Sequence, residues 1–203
     1  MIDKYKTISS PAEGMYKEKG SKFLAYAYPV TSEQDVKEIL ETLKKQHHKA
    51  RHHCYAYVLG KNKEYYRAND AGEPANSAGK PILGQIYAKD ITNVLVVVVR
   101  YFGGVKLGVG GLINAYKTAA EDALNNAKIV EKDIEKRVRV KCNFNDISMI
   151  QNAVAKTAAR IKKEHYDKNC NFVIEVSMQK LPTFEKLLSA NPNIDYQVID
   201  TDL

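Results

Sequence analysis

The stretch NVLVVVVRYFGGVKLGVGGLINAY, from Asn93 to Tyr116, decides how the larger part of this chain folds. Val94 to Val99 is an unbroken run of six branched aliphatic residues, the composition of a strand buried on both faces, and so places that strand in the middle of a sheet. Five of the 11 glycines, Gly103, Gly104, Gly108, Gly110 and Gly111, fall within the next few residues. Beyond them Leu112, Ile113, Tyr116, Ala119, Ala120, Ala123 and Leu124 recur at spacings that share one helix face. A glycine-rich connection from strand to helix presents backbone N–H groups and a positive helix end to an anion, with Arg100, Tyr101 and Lys106 in reach. Its spacing fits neither G-x-x-x-x-G-K-[ST] nor G-x-G-x-x-G, so no nucleotide fingerprint is satisfied. Two readings stay open: small residues that allow close packing, or a phosphate-binding site.

Upstream, Tyr5 to Ile8 and Phe23 to Val30 read as strands, with Pro11 to Lys22 a hairpin or loop between them. Thr31 or Ser32 offers an N-cap, and Val36, Ile39, Leu40 and Leu43 put one apolar stripe on a helix ending near His48. Cys54 to Leu59 and Glu64 to Arg67 are strands around a turn at Lys61 and Asn62. Ala68 to Gly79 concentrates turn-forming residues ahead of a short helix at about Pro81 to Lys89. Downstream, the periodicity lapses at Ile129 to Glu135, which reads as a linker. Val138, Val140 and Cys142 then mark a strand, Ile147, Ile150, Val154 and Ala158 a helix, and 161–167 a weak strand. Phe172, Ile174 and Val176 mark a further strand, Leu181, Phe184, Leu187 and Leu188 a helix, and Ile194, Tyr196 and Val198 a last strand. That β-α-β-β-α-β order is the ferredoxin-like unit, with one sheet face under two helices and the other open. The expected domains are 1–132 and 135–203.

The whole chain has 203 residues, 31 Lys plus Arg against 24 Asp plus Glu, and a net charge of +7. With 44% apolar and 27% charged residues it has the composition of a globular protein, which excludes disorder and fibrous repeats. Its longest aliphatic run is far short of the roughly 20 residues that cross a bilayer, and MIDKYKTISS has no apolar stretch of a secretory signal. Three widely spaced cysteines, Cys54, Cys142 and Cys170, disfavour a disulfide framework and a CxxC zinc site. We therefore expect a cytoplasmic protein, without membrane contact, whose excess positive charge suits an anionic partner.

Three further constellations carry possible chemistry. Asp70 and Glu73, around Ala71 and Gly72, can hold Mg²⁺ or act as acid and base, or can cap the backbone of their own turn. The latter is favoured, because no nucleophile and base pair lies nearby in sequence. His47, His48, His52 and His53 cluster with Cys54, but alternation points His53 away from His52 and Cys54, and the expectation is no metal. Arg137, Arg139 and Lys141 form a basic row on one strand face, without the aromatic pairs that stack RNA bases and with Glu175 and Ser177 rather than more cations expected beside it. The default there is a solvated face.

The segments ARHHCYAYVLG (Ala50 to Gly60), NDAGEPANSAGKPILGQI (Asn69 to Ile86) and the opening stretch closely resemble the YigZ/IMPACT family, also called UPF0029. SKFLAYAYPV joins them, so the resemblance covers about residues 15–125. It implies an α+β protein: an N-terminal domain like domain 2 of ribosomal protein S5, followed by the ferredoxin-like domain, a pairing similar to the last two domains of translation elongation factor G. Eukaryotic members regulate translation by competing for an activator of an initiation-factor kinase; nucleic-acid or ribosome binding has been suggested for bacterial ones. The matched family positions include His52, Cys54, Asp70, Gly72, Glu73, Gly79, Arg100, Tyr101, Phe102, Gly103, Gly104, Lys106, Gly108, Gly111 and Tyr116. Ala71 stands where a second Asp is usual, Asn76 for a Gly and Asn114 for an Arg. The expected function is a non-enzymatic regulator of translation that contacts RNA, a ribosome or a translation factor and needs no cofactor, with Arg100, Lys106 and the glycines, Gly110 among them, as its surface. The rivals are a small enzyme acting on a phosphorylated substrate and a protein-interaction adaptor.

Overall fold

The computed structural model describes residues 3–199. Its elements in the first two thirds of the chain are β1 (Lys4–Ile8), β2 (Ala12–Glu18), β3 (Ser21–Pro29), α1 (Glu33–Gln46), β4 (His52–Leu59), β5 (Tyr65–Asn69), α2 (Gly79–Ala88), β6 (Val94–Tyr101), α3 (Gly108–Asn126) and β7 (Ile129–Asp133). Five strands form one antiparallel sheet in the order β2-β3-β6-β4-β5. Every side chain from Val94 to Val99 is fully buried, as the aliphatic run predicts. Val94, Val96 and Val98 pack towards α2 and α3, whereas Leu95, Val97 and Val99 pack in the cluster that holds Val36 and Leu43 of α1. Burial of one such side chain contributes roughly 1.5–3 kcal/mol, so this central strand anchors both layers. Ser32, not Thr31, is the N-cap of α1: its Oγ accepts from Asp35 N at 3.1 Å while Asp35 Oδ2 accepts from Ser32 N at 3.1 Å, a capping box.

Pro11 to Lys22 is a hairpin. Lys19 and Gly20 both have positive φ, +45° and +79°, which matches the right-handed twist of β2 and β3 across a two-residue turn. The expected linker at Ile129 to Glu135 is corrected to strand, because β7 pairs with β1 in a two-stranded sheet and the chain passes almost directly into the next strand. Alternating charges there mark an exposed strand, whose partner β1 buries Thr7 and Ile8, rather than a flexible connection. Ile113 is corrected too. It is 39% exposed beside the buried Leu112 and Tyr116, because i+1 turns away from the packed stripe.

The contact pattern divides the chain between Lys132 and Asp133, with Tyr5 opening the larger unit. The smaller one runs β8 (Glu135–Cys142), α4 (Ile147–Thr157), β9 (Arg160–Tyr166), β10 (Cys170–Ser177), α5 (Leu181–Ser189) and β11 (Asp195–Ile199). Its sheet is antiparallel, in the order β11-β8-β10-β9. Val138, Val140, Phe172, Ile174 and Val176 face Ile150 and Ala153 of α4 and Phe184 and Leu188 of α5 in one core. Ala158 lies just past α4 as its C-cap, in the left-handed conformation at φ +52°. Cys142 and Cys170 stand opposite each other across β8 and β10 as free, buried thiols, and burial pushes Cys142 up to about 11. Among the described residues no helix is long and apolar enough to cross a membrane.

Candidate functional site

Asn69 closes β5, and its Oδ1 accepts from Ala71 N at 2.8 Å to start the turn. Asp70 then takes three backbone donors: Oδ2 from Asn76 N at 2.8 Å, Oδ1 from Ala78 N at 3.0 Å and Gly79 N at 2.8 Å. It thereby caps α2, whose own N-cap residue, Ala78, has no side chain able to do so. Asn76 has φ +62°, the left-handed region that Gly, and after it Asn, adopts at least cost, which explains the exchange noted at that position. The backbone of the same turn holds β4: Cys54 Sγ donates to Asp70 O at 2.9 Å, and His52 Nδ1 bonds Ala71 O at 3.0 Å. Gly72 lies against the His52 ring, and Gly79 against the backbone of Asn69, where a Cβ would come within 2.5 Å of Asn69 N.

Glu73 points inward. Its Oε1 accepts from Arg100 Nη1 at 2.7 Å and from Tyr116 Oη at 2.8 Å, and the carboxylate and guanidinium side chains are 4% and 7% exposed. The guanidinium lies 5.5 Å from the ring centres of both Phe23 and Phe102, and Arg100 Nε is buried without a hydrogen-bond partner. Arg100 therefore does not stand on the surface as the sequence reading has it. On β6 it follows Val98 onto the side of the sheet covered by α2 and α3, and Glu73 neutralises it there. Burial pushes the thiol of Cys54 up to about 12 and raises the Tyr116 phenol, so both stay protonated at neutral pH.

The glycine-rich connection divides into two. Gly103 packs on the β2–β3 turn so closely that a Cβ would come within 1.9 Å of Gly20 C, whereas Gly104, Gly108 and Gly110 have open space around them. Lys106 is exposed in this open part, ahead of α3, which starts with no side-chain cap and no acidic residue in its first turn. Phe102, Val105, Val109 and Ile113 are exposed along the same stretch.

Residues 19–124 match the sequence model of the Impact N-terminal domain, a span that holds the capped turn, Arg100 and the glycine connection. A relative in Bacillus subtilis, the IMPACT family member YvyE, is 32% identical over 95% of this chain and 89% of its own length. The chain belongs to the IMPACT family. The IMPACT family member YigZ of Escherichia coli is 31% identical over 73% of this chain and 74% of its own. A crystal structure described as that of a hypothetical protein superposes with a TM-score of 0.79 at 25% identity, over the full length of both chains. The similarity thus takes in both units, although the domain match ends before the second.

The IMPACT motifs bring His52, Cys54, Asp70, Gly72, Glu73, Gly79 and Arg100 together around one turn, and Tyr116 completes the set from α3. Tyr101, His47 and His53 go elsewhere, so the histidine cluster is divided. His47, the C-cap of α1, bridges Tyr26 Oη at 2.8 Å and Tyr101 Oη at 2.9 Å on the α1 side of the sheet. His53 is buried with an unpartnered Nε2, and burial, with His47, Lys44 and His52 around it, lowers its pKa from the usual value near 6.5. The unfolded chain binds that proton more readily. His53 therefore contributes stability above about pH 6.5 that is lost as pH falls towards its lowered value. We expect the melting temperature to drop between about pH 7.5 and 5.5, and a His53→Leu variant, compared at the same pH values, to show a shallower drop; equal slopes would refute the assignment. Tyr116 as a donor to Glu73, and Phe102 stacked on Arg100, are partners the sequence reading did not assign: one reads as apolar core, the other as part of a turn.

Proposed function

We propose that this chain is a non-enzymatic, translation-associated cytoplasmic protein that binds RNA or the ribosome through Lys106 and the open part of the glycine-rich connection. In this reading the first unit, 1–132, is of the S5 domain 2-like type and the second, 135–203, is ferredoxin-like, which the β11-β8-β10-β9 order supports. One observation carries the proposal: the two carboxylates that an enzyme would need are committed inside the fold. Asp70 holds three backbone donors and Glu73 holds Arg100 and Tyr116. The small cleft of about 110 Å³ lined by Tyr5, Val30, Asp35, Asn93 and Lys132 involves neither. What remains outward is a lysine, unencumbered glycine backbone and an uncapped helix end, a combination that attracts phosphate. Membership of the IMPACT family, and the role in translation that the resemblance implies, agree with it.

A second reading is a protein partner, favoured by Phe102 at 60% exposure with Val105, Val109 and Ile113 alongside. Binding of the purified chain to ribosomes and to short single-stranded RNA at two salt concentrations separates the two. Phosphate contact predicts affinity that falls steeply with salt, and a Lys106→Ala variant weaker on every RNA sequence with a salt slope reduced by about 1. Salt-insensitive ribosome binding lost in Phe102→Ala would instead establish the protein reading; no binding at low salt would overturn both.

A further inference from the structure

Alternation in the C-terminal sheet sends Val138, Val140, Phe172 and Ile174 into the core and leaves the opposite face uncovered by α4 and α5. Arg137, Arg139 and Lys141 occupy that face on β8, and all three are exposed. The strand expected to add no further charge is not the only neighbour. On the far side of β10 lies β9, where register places Arg160 opposite Glu175 and Lys163 opposite Val173, and a bulge at that point brings Lys162 within 3.5 Å of Glu175. The expectation of an isolated basic row is thus corrected: two rows of cations, on β8 and β9, flank β10.

Glu175 fixes one end of this arrangement. It is 8% exposed and accepts from Arg137 at 3.2 Å and Arg160 at 3.4 Å, with Lys162 beside it. These cations hold its carboxyl below the usual range against the opposing effect of burial. Glu135 pairs with the outer side of Arg160 at 2.7 Å, and Asp195 is the register neighbour of Lys141. Six cations against these three carboxylates leave the face positive. Arg139, Lys141 and Lys163 have no carboxylate within ion-pair distance among the described residues and stand clear of the Glu175 cluster.

We propose that this face binds the sugar-phosphate backbone of duplex RNA. The two rows are separated by two strand spacings, about 10 Å, and alternate residues along each row by about 7 Å. Between them β10 presents Asn171 and Val173, without charge and half-buried. Paired cationic rows beside a neutral stripe complement two phosphate strands bordering the wide, shallow minor groove of an A-form helix. The sheet positions facing outward carry no Phe, Tyr or Trp, so bases have nothing to stack on and recognition is by backbone and shape. An acidic protein surface would satisfy the charge but does not call for two cationic rows held about 10 Å apart across a neutral stripe.

This inference rests on the RNA reading above and adds a second surface to it, so the experiment separates the two. The intact chain is titrated with a labelled RNA duplex of about 20 base pairs, and with a single strand of equal length, over a salt series. The variants are Arg139→Ala/Lys141→Ala/Lys163→Ala and Lys106→Ala. We expect the triple variant to bind the duplex roughly a hundredfold more weakly near 0.1 M salt, with the salt slope lowered by about 3. Its melting temperature should be unchanged, since the three side chains are exposed. Loss of duplex binding in the triple variant alone supports the sheet face, and the Lys106 surface is then judged separately by its single-strand and ribosome binding. Loss in Lys106→Ala alone, with the triple variant unaffected, overturns the sheet face and leaves the proposed function standing. Absence of duplex binding by the intact chain, or equal competition by poly-glutamate at matched charge, also overturns it, the latter in favour of an acidic protein.

Discussion

Replacing Glu73 with Ala is expected to destabilise the N-terminal unit by about 3–5 kcal/mol. Arg100 and Glu73 are 7% and 4% exposed, and Arg100 already carries one unpartnered nitrogen, Nε. Without the carboxylate the guanidinium becomes a buried charge held only by the rings of Phe23 and Phe102. Tyr116 Oη loses its acceptor at the same time. At about 2–4 °C per kcal/mol for a chain of this size, melting should fall by roughly 10 °C. Glu73→Gln, which keeps an acceptor for Tyr116 but not the charge, should cost less. The double variant Glu73→Leu/Arg100→Met, which removes both charges and retains bulk, should be more stable than Glu73→Ala alone. Urea unfolding of the four proteins tests this. If Glu73→Ala cost under about 1 kcal/mol, the pair would be a solvated surface bridge in solution, and Glu73 would again be free for chemistry.

The parts of the fold legible in the sequence are those in which a local pattern and burial agree. Val94 to Val99 could be placed in the centre of a sheet because no exposed strand tolerates six aliphatic residues in succession, and the β8 to β11 unit because its alternation and helical stripes are uninterrupted. The β2 strand was less clear, since Ala12 to Glu18 is half-exposed throughout and its turn, Lys19-Gly20, lacks the Asn or Asp that advertises a hairpin. β7 reads as a linker because, half-buried only at Val130, it carries no apolar alternation. In the candidate site, residue types were legible and their direction was not. Arg100 and Lys106 are both cations near glycines, but one lies on a strand covered by helices and the other in an open connection. Only the fold distinguishes them. The pairing of charge on β9 with that on β8 is not legible in the sequence for a related reason: which strand lies beside β10 is a property of topology, not of any local spacing.

Asp70→Ala should be the next most damaging change, at about 3 kcal/mol, because one carboxylate satisfies three backbone N–H groups at once. Two of them, those of Ala78 and Gly79, lie at the buried start of α2, where water cannot replace the lost acceptor freely. The third, of Asn76, is exposed and should recover a solvent partner. An ordinary N-cap loss costs about 1 kcal/mol; the excess expected here measures the second donor and the negative charge at the helix end. Asp70→Asn, which keeps one oxygen, should lose about half as much. The consequence extends beyond α2, since the Asp70 and Ala71 carbonyls hold Cys54 and His52, and Glu73 follows in the same turn. Hydrogen exchange should therefore report faster opening at residues 70–82 and at the β4 end together. If exchange rose only in α2, the turn would be a passive cap, and the shared placement of Asp70, Glu73, His52 and Cys54 would have to be explained by something other than mutual support. A coordinated rise would show that these residues act as one structural unit.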